Sequence, residues 1–162
     1  MRASTLVASG IALAAAACGG PQVEPAPAPA AVADSVSRKD QWHATLVAHR
    51  QDSTSAQVAG SATMGPGAAA ATTVVTVFIR NATPLRVHPW SVHRGSCDRD
   101  AGALDASAFY PPLQVARNGE SESTSTLTLP TPTGGSYFVT VRSASTDMET
   151  EIACGDLRPP AP

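Results

Sequence analysis

Apolar and polar residues alternate in short runs along most of this chain, which is the period of half-buried β-strands. The clearest run is "TTVVTVFIR" (Thr72–Arg80), dense in β-branched residues that favour extended backbone. "WHATLVAH" (Trp42–His49) puts Trp42, Ala44, Leu46 and Ala48 on one face. Ser55–Met64 alternates weakly, and Gly65, Pro66 and Gly67 are expected to stop it. Further strands are predicted over Leu85–Gly95, over "YPPLQV" and "SESTSTLTLP" on either side of a tight turn at Asn118-Gly119, over Ser136–Ala144, and over Glu149–Leu157. Asp98–Phe109 reads as a polar loop. Within Leu85–Gly95, Trp90 and Val92 fall on the face opposite Ser91 and His93, so the first pair is expected in the core. Tyr110-Pro111-Pro112-Leu113 reads as a rigid loop entering a strand. No long helical period occurs, and "AAAA" (Ala68–Ala71) is too short and follows Gly67. Many short strands separated by Gly, Pro and Asn turns predict an all-β antiparallel sandwich or barrel.

The N-terminus has a different pattern. Arg2 precedes an apolar stretch, Leu6–Ala17, too short to span a membrane, so residues 1–17 read as an export signal. "LAAAAC" resembles a bacterial lipobox, which makes Cys18 the expected lipidation site and the membrane the expected partner, through acyl chains on that residue. Residues 18–38 contain "GGPQVEPAPAPAAVADSV", a Pro/Ala-rich linker that tends to be extended. Gly19 is not an inner-membrane retention signal of the Asp type, so an outer-membrane location is expected in a two-membrane bacterium. Residues 39–159 form the expected folded domain and 160–162 a tail.

Charge excludes one class of function. The chain has 11 basic and 13 acidic residues; removing Arg2 with the signal leaves 10 against 13. The single lysine is Lys39 and the arginines are scattered, so nucleic-acid binding has no support. Cys97 and Cys154 are the two cysteines left after Cys18. In an exported protein such a pair reads as a disulfide, with two buried thiols as the alternative.

Two segments carry a family resemblance. "VHPWSVHRGSC" (Val87–Cys97) and "EIACGDL" (Glu151–Leu157) resemble the metal strand and closing strand of copper/zinc superoxide dismutases, which read roughly "HGFHVHxxG" and "LACG". "PLQVARNGESESTSTLTL" resembles the family's middle hairpin, and "SYFVTVRSA" the strand bearing its last copper histidine. The resemblance implies a Greek-key β-sandwich and joins Cys97 to Cys154.

The same resemblance argues against the family's chemistry. The H-x-H ligand pair maps onto Ser91 and His93, and serine is a poor copper ligand beside imidazole. His88 maps onto a histidine that does not bind metal in the family. Asp98–Phe109 stands where the zinc loop would be and has no histidine; its Asp98, Asp100 and Asp105 suit hard cations better. No histidine follows His93, and Glu151 stands where the family has its substrate-guiding arginine. Expected, therefore, is a non-catalytic module with no cofactor and no intact metal site, with a binding or structural role; a protein partner, if any, is not readable from these residues.

The alternative is a copper-handling protein that uses His88 and His93, with His43, His49, Met64 and Met148 in reserve. The odd spacing of His88 and His93 turns them to opposite faces of a regular strand unless Pro89 introduces a bulge. Arg94 and Arg99 are candidates to pair with Asp98 or Asp100 and so replace lost metal charge. Asp, His and Ser all occur, but no G-x-S-x-G elbow does, and the sequence alone places no three of them together.

Overall fold

Extended backbone dominates the computed structural model, which describes residues 40–48 and 57–160. The export signal, Cys18, the linker, Lys39 and His49 lie outside the described residues. Among the described residues ten strands follow in order: β1 (Trp42–Ala48), β2 (Ala59–Pro66), β3 (Thr73–Arg80), β4 (Val87–His88), β5 (Trp90–Ser96), β6 (Arg99–Ala103), β7 (Leu113–Gln114), β8 (Ser121–Leu127), β9 (Tyr137–Ala144) and β10 (Asp147–Leu157). Eight of them make one curled antiparallel sheet in the order β6-β5-β9-β10-β1-β2-β3-β8, and β4 pairs with β7 in a small second sheet. The all-β expectation holds.

Sequence neighbours pair directly along β1-β2-β3, at β5-β6 and at β9-β10. Three connections are long. They carry the chain from β3 to β5, from β6 to β8 and from β8 to β9, each joining strands far apart in the sheet order.

The alternation predicted from sequence sets the core. Trp42 and Leu46 of β1, Val75, Val77 and Ile79 of β3, Trp90 and Val92 of β5, and Val139 and Val141 of β9 point inward and are buried. Each fully buried aliphatic side chain of this size contributes about 1.5–3 kcal/mol of transfer free energy. Both tryptophans also place a polar atom. Trp42 donates its indole N–H to Pro132 O at 2.9 Å, and Trp90 donates to Pro111 O at 2.7 Å. Tyr137 and Tyr110 meet these rings edge to face, with centroids 5.4 and 5.0 Å apart.

The inward face of β8 is polar: Ser121, Ser123 and Ser125 are buried. Their hydroxyls donate to Gln114 O, Pro111 O and Phe109 O. Segment 109–114 is thus strapped to β8 by side chains, because Pro111 and Pro112 have no N–H to give a backbone ladder. The rigid-loop reading of Tyr110–Leu113 agrees with this.

Three local expectations change. β2 does not stop at Gly65 but runs to Pro66, which sits opposite Thr73. Gly67 N–H donates to Thr72 O, and in the antiparallel alternation that makes 66/73 a non-hydrogen-bonded pair, so no N–H is missed at proline. Leu85–Gly95 is not one strand: Pro89 divides it into β4 and β5, which join different sheets. The expected polar loop at Asp98–Phe109 contains β6, which forms a hairpin with β5 although its residues are mostly exposed and show no alternation. Pairing makes this strand: Gly95, at φ +102°, faces Asp100 across a bulge. A Cβ at Gly95 would lie 2.1 Å from Arg99 O, so glycine is required there.

Candidate functional site

The outer face of β5, β9 and β10 is where the sequence placed its candidate chemistry. Register puts Ser91 opposite Thr140 and Thr140 opposite Cys154; one row along, His93 faces Phe138 and Phe138 faces Asp156. Phe138, Thr140 and Cys154 are buried although they point away from the main core, so this outer face is covered rather than open.

Ser91 and His93 share this face, as their spacing predicts, and they are hydrogen-bonded to each other. Ser91 Oγ lies 2.9 Å from His93 Nε2, and His93 Nδ1 lies 2.9 Å from Asp100 Oδ1. A carboxylate only accepts, so Nδ1 carries the hydrogen and Nε2 holds the lone pair. Ser91 O–H is therefore the donor to Nε2. Asp100 Oδ1 also accepts the N–H of Gly102 at 2.7 Å, which fixes the carboxylate. The ring of His93 packs on Phe138 with centroids 5.3 Å apart.

Electrostatics agree with an ionised Asp100. Slight burial raises its pKa, but the Gly102 amide, the His93 hydrogen bond and the positive charge of Arg142 outweigh that, and the net shift is downward. Beside this chain of bonds, Thr140 donates its hydroxyl to Glu151 Oε2. Glu151, which stands where the resembling family has an arginine, is thus held against β9.

His88 is elsewhere. It is buried, and its Nδ1 donates to the carbonyls of Ser143 at 2.8 Å and Arg142 at 3.1 Å. His88, Trp90 and Val92 are all buried while His93 is on the outer face, so alternation continues through Pro89 and the two histidines do not converge. Met64 is fully buried in the core and Met148 is exposed. Among the described residues, no group of three or more His, Cys, Asp or Glu side chains is placed to hold a metal ion.

The expected pairing of Arg94 with an aspartate does not form. Arg94 donates instead to Ala103 O at 2.8 Å and Leu104 O at 2.9 Å, because the β5-β6 hairpin brings those carbonyls beside it and gives Asp100 to His93.

Cys97 and Cys154 are joined, with Cα atoms 5.9 Å apart. The bond ties the β5-β6 turn to the middle of β10. Asp156 Oδ1 reinforces it by accepting Cys97 N–H at 2.8 Å. The disulfide forms one wall of a groove of about 750 Å³, whose other lining residues include His43, Thr45, Val47 and Arg158.

Sequence reasoning missed Asp100 as the partner of His93. The signal was faint: an acidic residue seven positions on, across a turn containing Cys97, in a segment without alternation. No protein-family model matches the chain. Nor does any curated protein match it at a significant level.

Proposed function

We propose that this chain is an envelope-anchored, non-catalytic module with a fold like that of copper/zinc superoxide dismutases, lacking an intact copper or zinc site and acting by binding or as a scaffold. Support for the fold comes from the sheet order and its three long crossings, β3 to β5, β6 to β8 and β8 to β9, which are connections of the Greek-key kind. The disulfide from the β5-β6 turn to β10 lies where the resemblance requires it. The export signal and a lipid on Cys18 supply the anchor in this reading.

One observation carries the loss of metal chemistry. Both ring nitrogens of His93, which occupies a ligand position of the resembling family, are bonded within the protein, Nε2 by Ser91 and Nδ1 by Asp100. A metal ion at Nε2 must displace the Ser91 hydroxyl and would then find serine where a second imidazole is needed.

Metal content of the purified full-length protein, after incubation with copper and zinc and desalting, tests this. Less than about a tenth of an equivalent of either metal is expected. Stoichiometric copper would overturn the reading and restore the carrier built on His88 and His93, whose alanine variants would then lose the metal.

A further inference from the structure

The hydrogen-bonded series Ser91–His93–Asp100 has a second meaning, independent of metals. We propose that Ser91 is a base-activated nucleophile that accepts an acyl group from an activated carboxylic ester.

The geometry meets the requirements for such a nucleophile in order. The hydroxyl oxygen of Ser91 is 2.9 Å from the nitrogen that must take its proton. That nitrogen is the unprotonated one, because Asp100 holds the hydrogen on Nδ1 at 2.9 Å. Asp100 is itself fixed by the Gly102 amide at 2.7 Å, and His93 is seated on Phe138. A serine, an imidazole in the right tautomer and an orienting carboxylate are thus held on three supports rather than brought near by chance. Ser91 and His93 are partly buried, unlike Phe138 and Thr140 beside them, so this part of the covered face keeps some contact with solvent. Ser107 makes a useful contrast: its hydroxyl donates to Asp105 at 2.6 Å, with no imidazole between them.

The step balances as an acyl transfer. Ser91 Oγ forms a bond to the ester carbonyl carbon and passes its proton to His93 Nε2. The tetrahedral intermediate expels the aryloxide, which leaves as the phenol with that proton. Ester plus serine hydroxyl becomes acyl-serine plus phenol.

Turnover should be slow. Arg142 N–H donates to Pro89 O and Gly95 N–H to Ser136 O, so in the antiparallel alternation Ser91 and Thr140 are also a hydrogen-bonded pair. Their amides are committed to the ladder and supply no oxyanion hole, which elsewhere contributes about 100- to 1,000-fold. Arg142, two residues from Thr140 on the same face and diagonal to Ser91, directs Nη1 to Glu149 O at 3.4 Å. Ser91 therefore behaves as a stoichiometric acceptor, which goes beyond the binding role proposed above without requiring an enzyme.

The experiment treats purified full-length protein with p-nitrophenyl acetate and locates acetyl groups by peptide mass spectrometry. Acetylation of Ser91 at least about 100-fold faster than of Ser107 in the same molecule is expected, with nitrophenolate released as a burst of about one equivalent. His93→Gln should slow Ser91 by a similar factor, and Asp100→Asn by at least about tenfold. Ser91 reacting no faster than Ser107 would overturn the proposal, and this comparison needs no variant to fold. An unchanged rate in a folded His93→Gln protein would also overturn it. Neither outcome depends on metal content, so this inference and the loss of the metal site stand or fall separately.

Discussion

Trp90 and Pro111 meet through a single hydrogen bond of 2.7 Å, from the indole N–H to the proline carbonyl. The same carbonyl accepts the hydroxyl of Ser123 on β8. One oxygen thus links β5, near one end of the sheet order, to β8 at the other end. Trp90→Phe should cost about 1–2 kcal/mol of unfolding free energy in urea, and Ser123→Ala less. The double variant should lose more than the sum of the two, because only then is the carbonyl left without a partner. Strict additivity would show that the carbonyl finds another donor.

The disulfide closes a loop with a sequence separation of 57 residues. In the chain-entropy account, losing it costs about 4 kcal/mol. Replacing Cys97 and Cys154 together by alanine should lower the unfolding midpoint by that equivalent in denaturant titrations. A loss below about 1 kcal/mol would mean that the bond constrains little in the unfolded chain.

Tyr110 carries a buried hydroxyl that lies near the Val92 backbone without reaching hydrogen-bond geometry, and it has no other partner among the described residues. Burial raises its pKa above 10.0, opposed by the Val92 backbone and assisted by the charge of Asp105. A raised folded-state pKa favours the neutral phenol, so its contribution is complete below the unfolded value and is lost as pH rises through the folded one. Tyr110→Phe should therefore be as stable as the parent at pH 7, or more stable by about 1 kcal/mol, since it removes an unsatisfied polar group. It should also flatten the fall in stability above about pH 10. Thermal melts across that range check both.

Asp100 gives the opposite pH signature. Its folded-state pKa lies below 3.8 because the Gly102 amide, the His93 hydrogen bond and Arg142 outweigh a small effect of burial. Its contribution is present above the unfolded value and disappears as pH falls through the folded one. Asp100→Asn should make the decline in stability below about pH 4 shallower. An acid limb identical in the two proteins would remove Asp100 from the account.

Gly95→Ala is expected to damage the same site indirectly. Its Cβ would lie 2.1 Å from Arg99 O at a φ of +102°, so β6 must move and take Asp100 away from His93. Destabilisation of about 2–3 kcal/mol is expected, together with loss of the low pKa of Asp100, measured by carboxyl NMR titration.

How much of this was legible in the sequence differs from strand to strand. β1 announced itself because Trp42, Ala44 and Leu46 repeat every second residue, and β3 by its density of β-branched residues. Ser91 and His93 were placed on one face by the same rule. β6 was hidden because its pairing depends on a bulge at Gly95, not on any apolar residue of its own. The division at Pro89 was hidden too, since alternation continues across it. Asp100 could not be joined to His93 without the hairpin that brings them together. On β8, "SESTSTL" shows a period of two, and Leu127 at its end is the one apolar mark that puts Ser121, Ser123 and Ser125 on the inner face.

Those serines have one more consequence. Their hydroxyls point inward, so the proline-containing segment lies across the inner face of β8 and not along its outer edge. β6 and β8 stand at opposite ends of the sheet order, and no backbone ladder joins them. Pro111 O, shared by Ser123 and Trp90, is the clasp there: side chains fasten a sheet that its own strands leave open.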